Sequence, residues 1–146
     1  MAEATVHASA VAVGGLGCLI CGRPGAGKST LALQMIAQGA DLIADDQTML
    51  TRQGSAVSLS APPALSGRIE ARGVGLLRVP AVKAPLTLIV DLDRAEASRL
   101  PARRYHHLLG LACPIILGRG RNGLAAILRV ALLHGTEGTE WLTPSA

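Results

Sequence analysis

The chain has 146 residues, of which 49% are hydrophobic and 16% charged, with a net charge of +4. That balance is too apolar for a disordered chain, and the length is enough to bury about two thirds of the unfolded surface around a core. Phe is absent, and Trp141 and Tyr105 are the only aromatic residues, which argues against a nucleic-acid reader built on aromatic stacking.

The longest uncharged apolar stretch, Ala8 to Gly22, is shorter than the roughly 20 residues of a membrane span and is broken by Gly14, Gly15 and Gly17. Ahead of it stands Glu3 with no Lys or Arg, so no signal peptide is read. Three cysteines are too few for a disulfide scaffold, and the expectation is a reduced, cytoplasmic setting without a membrane anchor.

Val11 to Cys21, rich in Val, Leu, Ile and Gly, predicts one or two buried strands. Gly22 to Lys28 is a glycine-rich loop. Lys28 to Gln38 sets Leu31 with Met35 and Leu33 with Ile36 at helical spacing, and Gly39 is a natural stop. Asp41 to Ala44 is a short apolar run ending in Asp45 and Asp46. Thr48 to Thr51 and Ala56 to Ser60 flank a hairpin turn, and Ala61 to Gly67, with Pro62 and Pro63, predicts a loop. Leu76 to Val79 and Leu86 to Leu92 predict two more strands. Arg94 to Leu109 is polar and basic with a short helix as its candidate element, and His106-His107 reads as polar loop. Ile115 to Leu117 is apolar, Gly118 to Gly123 is a second glycine-rich loop, and Leu124 to Leu133 predicts a helix. The pattern is α/β: a P-loop-containing mixed β-sheet core with flanking helices. One domain is expected over residues 1–146, with its core at about 5–133 and a C-terminal tail at 134–146.

Gly22-Arg23-Pro24-Gly25-Ala26-Gly27-Lys28-Ser29, followed by Thr30, fits the phosphate-loop pattern at every fixed position. Glycines let backbone N–H groups turn inward around a phosphate, Lys28 reaches outer phosphates, Ser29 offers a hydroxyl to Mg²⁺, and the following helix directs its positive end at the anion. An apolar strand before and a helix after supply the context that the mechanism needs. Such sites also need a carboxylate near the metal. Two candidates stand open: Asp91, ending the run Leu86 to Val90, and the adjacent pair Asp45-Asp46, of which one could hold metal-bound water and the other take a proton from an acceptor hydroxyl. Seven arginines and one acid, Glu96, lie between Arg94 and Arg129. They suit an anionic partner or a solvated basic face. Cys18 and Cys21, three apart on a strand, point to opposite faces and read as core thiols rather than a metal pair.

With these motifs in order, the chain resembles the catalytic domain of HPr kinase/phosphorylase, over roughly Thr5 to Leu133. The resemblance rests on Val6-His7, on the loop, on Leu42-Ile43-Ala44-Asp45-Asp46, on Ile69-Glu70-Ala71-Arg72-Gly73-Val74-Gly75-Leu76-Leu77, and on Gly120-Arg121-Asn122 before a helix. It is similar to the short versions of alphaproteobacteria, without the family's usual N-terminal domain. It implies a fold of the HPr kinase/PEP carboxykinase type and an ATP- and Mg²⁺-dependent serine kinase acting on the phosphocarrier HPr, with reverse phosphorolysis, in a phosphotransferase system. It implies nucleotide contacts from residues 22–30 and catalytic roles for Lys28, Asp46 as general base, His7 and Arg99. It implies metal-associated roles for Ser29, Asp45 and Glu70. A homo-oligomer is expected, since the family forms hexamers, and no nucleic-acid partner. The chain departs from the family at Arg23-Pro24 and Thr30, and at Ile116-Leu117-Gly118-Arg119, in a loop that the family ties to dephosphorylation. A small-molecule kinase and a non-catalytic nucleotide or phosphate sensor are the competing readings.

Overall fold

The computed structural model of the protein describes residues 2–137 and 142. A short strand, β1 (Glu3–Val6), bends at His7 into β2 (Ala8–Val13), which turns back into β3 (Leu16–Cys21). The turn is Gly14-Gly15, whose φ angles of 58° and 80° are those of a tight hairpin that side-chain-bearing residues resist, so the run predicted as one or two strands is two. Helix α1 (Lys28–Ala37) follows the phosphate loop and stops where expected, with the Gly39 N–H closing on Ile36 O at 2.9 Å. Then come β4 (Asp41–Ala44), the hairpin β5 (Thr48–Gln53) and β6 (Ala56–Ser60), a single 3-10 turn at Pro63–Leu65, the small hairpin β7 (Arg68–Ala71) and β8 (Gly75–Arg78), and β9 (Ala84–Asp91). Strands β10 (Arg104–Leu108) and β11 (Leu111–Leu117) and helix α2 (Leu124–His134) complete the described order.

The main sheet runs β1-β5-β6-β9-β3-β2-β4, with β11 on β9 and β10 on β11; β7 and β8 pair apart from it. Strand β9 joins its halves. Ala84 and Pro85 pair antiparallel with β6, while Ile89 to Asp91 pair parallel with β11. The sheet is mixed, as predicted, and it is curled. Helices α1 and α2 cover one face, where Val11, Val13, Cys18, Ile20, Leu88 and Val90 meet Leu31, Met35, Leu128 and Leu132. Ala10, Ala12, Leu19, Ile43, Leu50, Leu59, Ile89 and Ile115 fill the other side. Strand β2 is therefore buried at every position, which is why its sequence shows no polar alternation.

Three expectations need correction. The basic stretch 94–109 holds no helix; its end is β10, paired residue by residue with β11 from Arg104↔Ile115 to Leu108↔Leu111. Pro101 removes a helical donor, and a ladder partner was at hand in the following strand. His106 and His107 consequently lie in that strand rather than in a loop. Strand β11 begins at Leu111, well before the run Ile115 to Leu117, and β1 and β7 were not foreseen as strands. The tail expected at 134–146 falls largely outside the described residues; within it His134 ends α2, and Leu142 is buried in the helix-side core.

Strands β3, β9 and β11 are parallel, and β4 shares their direction through antiparallel β2. Their C-terminal ends thus meet along one edge, the usual position of ligand sites in such sheets. Leu92 N–H closes on Cys21 O at 2.9 Å and Gly118 N–H on Asp91 O at 2.8 Å, tying the three departing loops together.

Candidate active site

On that edge Pro24, Gly25, Gly27, Lys28, Ser29, Thr30, Asp46, Glu70 and Arg72 line a cleft of about 330 Å³. The phosphate loop forms one wall. Gly27, with φ 100°, is the N-cap of α1 and leaves no side chain over its first turn, so the helix opens with its N–H groups toward the cleft. Lys28 is buried, and its Nζ donates to Gly22 O at 2.6 Å and Arg23 O at 3.1 Å. An ammonium has three donors, so one remains for an anion.

The acidic pair divides sharply. Asp45 Oδ1 accepts the hydroxyls of Ser29 at 2.6 Å and Ser9 at 2.8 Å, and Oδ2 accepts the Glu70 N–H at 3.0 Å. One carboxylate thereby joins β2, α1 and β7. Asp46 follows with φ 68°, a left-handed turn unusual outside glycine. That turn swings its side chain into the cleft, where the carboxylate has no hydrogen-bond partner among the described residues. Its own N–H reaches Ser9 Oγ at 3.4 Å.

Asp91, the competing candidate, does not line the cleft. Its Oδ1 accepts the Asp93 N–H and its Oδ2 accepts Arg94 Nε, each at 2.8 Å. Burial pushes its carboxyl up, but the hydrogen bonds from Arg94 and the Asp93 N–H, with the Arg94 and His106 charges, outweigh this and hold it below the usual range. The arginine-rich stretch is likewise partly spent within the chain. Arg104 grips Glu96 through Nε and a terminal nitrogen at 2.9 and 3.0 Å, which drives the Glu96 carboxyl down to about 2. Arg119 donates to Asp93 O at 3.2 Å.

Two expected catalytic residues lie outside the cleft. His7 is exposed at the bend after β1. Arg99 lines a separate cavity of about 270 Å³ with Arg104, Arg121, Leu124 and Ile127. The Arg23 side chain does not line the cleft; it is exposed, with its Nε 3.4 Å from Asp93. Sequence reasoning missed Ser9 and Asp93. Ser9 carried a signal, since a hydroxyl inside an otherwise apolar buried strand needs a partner; Asp93, past a strand end among other charges, carried none. Cys18 is buried in the helix-side core, as expected of a core thiol, while Cys21 is half-buried against the other layer. Burial and then neighbouring Cys21 push Cys18 up to about 12, and burial followed by the Asp91 charge pushes Cys21 up to about 11.

Residues 1–99 match the sequence model of a family described as the HPr Serine kinase C-terminal domain. The chain belongs to this family. It is 35% identical over 144 residues to an HPr kinase/phosphorylase of Cupriavidus metallidurans, covering 88% of this chain and 44% of that protein. To an HPr kinase/phosphorylase of Bordetella pertussis it is 38% identical over 145 residues, covering 88% and 47%. The chain thus spans a little under half the length of these curated relatives. Its fold matches the solved structure of the Hpr(Ser) kinase/phosphatase from Coxiella burnetii with a TM-score of 0.77 and 28% identity, covering 89% of this chain and 94% of that one. The mixed α/β fold expected from the motifs is therefore the fold of the family.

The donor set suits a hard divalent cation. Ser29 Oγ, Asp45, Asp46 and Glu70 offer only oxygen, the choice of Mg²⁺, which keeps several waters and leans on substrate phosphates. No group of three or more His, Cys, Asp or Glu is arranged as a metal cage among the described residues, and a phosphate-bound Mg²⁺ needs none.

Proposed function

We propose that the chain is the catalytic part of an ATP- and Mg²⁺-dependent protein serine kinase whose acceptor is the phosphocarrier HPr, serving regulation of a phosphotransferase system in the cytoplasm. The observation that carries this is the split between the paired acids: Asp45 is held by three donors, while Asp46 lines the phosphate cleft with a carboxylate that has no partner among the described residues. Relatives named HPr kinase/phosphorylase and a fold match to an HPr(Ser) kinase/phosphatase support the acceptor.

The loop N–H groups and Lys28 hold the phosphate chain of the donor. Magnesium, held from Ser29 with Asp45 and Glu70 nearby, would neutralise charge on the phosphates. Asp46 takes the proton from the acceptor serine hydroxyl as its oxygen bonds to the γ-phosphorus and the bond to the β-phosphate oxygen breaks. In reverse phosphorolysis an oxygen of inorganic phosphate bonds to the phosphoserine phosphorus, giving pyrophosphate, while the bond to the serine oxygen breaks and protonated Asp46 returns its proton to that oxygen. Arg72, on the cleft wall, is placed to meet phosphoryl charge. His7 and Arg99 keep their proposed roles only if the acceptor or a second subunit brings them to the cleft, in keeping with an oligomeric enzyme. A non-catalytic sensor would need Arg23 to disable the loop, and its guanidinium stands 3.4 Å from Asp93, away from the cleft lining.

The test is transfer of label from γ-labelled ATP to HPr in the presence of Mg²⁺. Wild type labels a serine of HPr. Asp46→Asn binds ATP normally and loses transfer by about 10²–10⁴-fold, the range for a general base. Lys28→Ala loses binding and transfer together. ATP binding without any labelling by wild type would defeat the kinase reading and revive the sensor.

A further inference from the structure

Asp93 lies outside the cleft and outside the phosphate-loop pattern, yet it grips the loop. Both its carboxylate oxygens accept the backbone N–H of Arg23, at 3.0 and 3.1 Å, and Oδ1 is also 3.4 Å from Arg23 Nε. That N–H belongs to the peptide unit joining Gly22 to Arg23, and the unit is planar and trans. Its C=O therefore points away from its N–H, and this same Gly22 O accepts Lys28 Nζ at 2.6 Å. One rigid plane thus has a carboxylate on one side and the site's ammonium on the other. The plane needs an outside brace, because glycine on its N-terminal side permits rotations that other residues resist. The brace is itself fixed: the Asp93 N–H donates to Asp91 Oδ1 at 2.8 Å and its carbonyl accepts from Arg119 at 3.2 Å. The Arg23 guanidinium beside Asp93 offsets a negative charge that would otherwise stand near an anion site.

We infer that Asp93 is a positioning residue, which holds the Gly22–Arg23 peptide so that Gly22 O faces Lys28 and thereby sets where the Lys28 ammonium stands over the cleft. This rests on the nucleotide reading of the cleft. It also gives the unusual Arg23 a purpose: it is the counter-charge of the brace rather than a phosphate ligand.

The experiment compares Asp93→Leu, which keeps much of the volume and removes both acceptors, with Asp93→Asn, which keeps one acceptor oxygen and removes the charge. ATP and ADP binding are measured by calorimetry on the whole chain with Mg²⁺, beside the melting temperature and the steady-state constants for transfer. Asp93→Leu is expected to weaken nucleotide binding about tenfold, the effect of one charge-assisted hydrogen bond lost, and to raise KM for ATP more than it lowers kcat. Asp93→Asn is expected to bind within about threefold of wild type, since the peptide keeps an acceptor. If Asp93→Leu fails to fold, the smaller Asp93→Ala, which also lacks an acceptor, takes its place in the same comparison. Wild-type affinity in the folded acceptor-less variant overturns the inference alone, and so does an Asn variant as weak as the Leu one. Failure of the wild type to bind nucleotide defeats the reading of the cleft and the inference with it.

Discussion

Asp45 and Asp46 are neighbours in sequence with opposite surroundings, and Ser9 touches both. Its hydroxyl, fully buried in β2, donates to Asp45 Oδ1 and lies 3.4 Å from the Asp46 N–H. It therefore both holds the anchoring acid and supports the left-handed turn that frees the other. Ser9→Ala should lower phosphoryl transfer about tenfold, the effect of one hydrogen bond to a charged group, with ATP affinity nearly unchanged because Lys28 and the loop are untouched. Ser9→Thr, which keeps the hydroxyl, should restore transfer. Equal loss in Ala and Thr variants, read from parallel transfer assays and melting curves, would show that only packing matters there. The pair was legible in the sequence because two adjacent acids at a strand end are unusual. The division of labour was not, because it depends on donors 36 residues away in β2 and 16 away in α1.

At the scale of elements, legibility followed locality. The phosphate loop, α1 and the β5–β6 hairpin are each specified by a short run of residues, and the expected bounds held closely. The stretch from Arg94 to Leu109 failed because its conformation is set from outside by the β11 ladder, and the Glu96–Arg104 pair then ties the stretch to itself across eight residues. The join between β3 and β9 shows the same dependence on distant chain. A methyl group added at Gly17 would stand 2.5 Å from the carbonyl oxygen of Pro85, closer than real contacts allow. The obstacle is backbone, so it cannot rotate aside. Gly17→Ala should therefore destabilise the fold by about 1–3 kcal/mol, the cost of overpacking, and denaturant titration should show it. A stability equal to wild type would mean that β3 and β9 part readily, and the loop after β3 would then lack a rigid base.

For the whole molecule, the two apolar layers share one sheet, and the thiol of Cys18 sits fully buried among the residues under the helices. Ionising it in place is unfavourable, which is what its rise from an ordinary 9.0 to about 12 expresses. The unfolded chain has no such penalty. Below about pH 9 both states keep the proton and the thiol has no effect on the pH dependence of stability. Between about 9 and 12 the unfolded chain releases the proton and the folded one retains it, so stability must fall as pH rises through that window. Cys21, held at about 11 by burial and the Asp91 charge, adds to the same slope over a narrower window. Melting temperatures from pH 8 to 10.5 should decline for the wild type and decline less steeply for Cys18→Ala, even though that variant starts lower through the lost packing. The difference in slopes isolates the thiol, because every other side chain is common to both proteins. Parallel slopes would mean that solvent reaches Cys18 in the folded state, and hence that the helices do not stay packed on the strand leading into the phosphate loop.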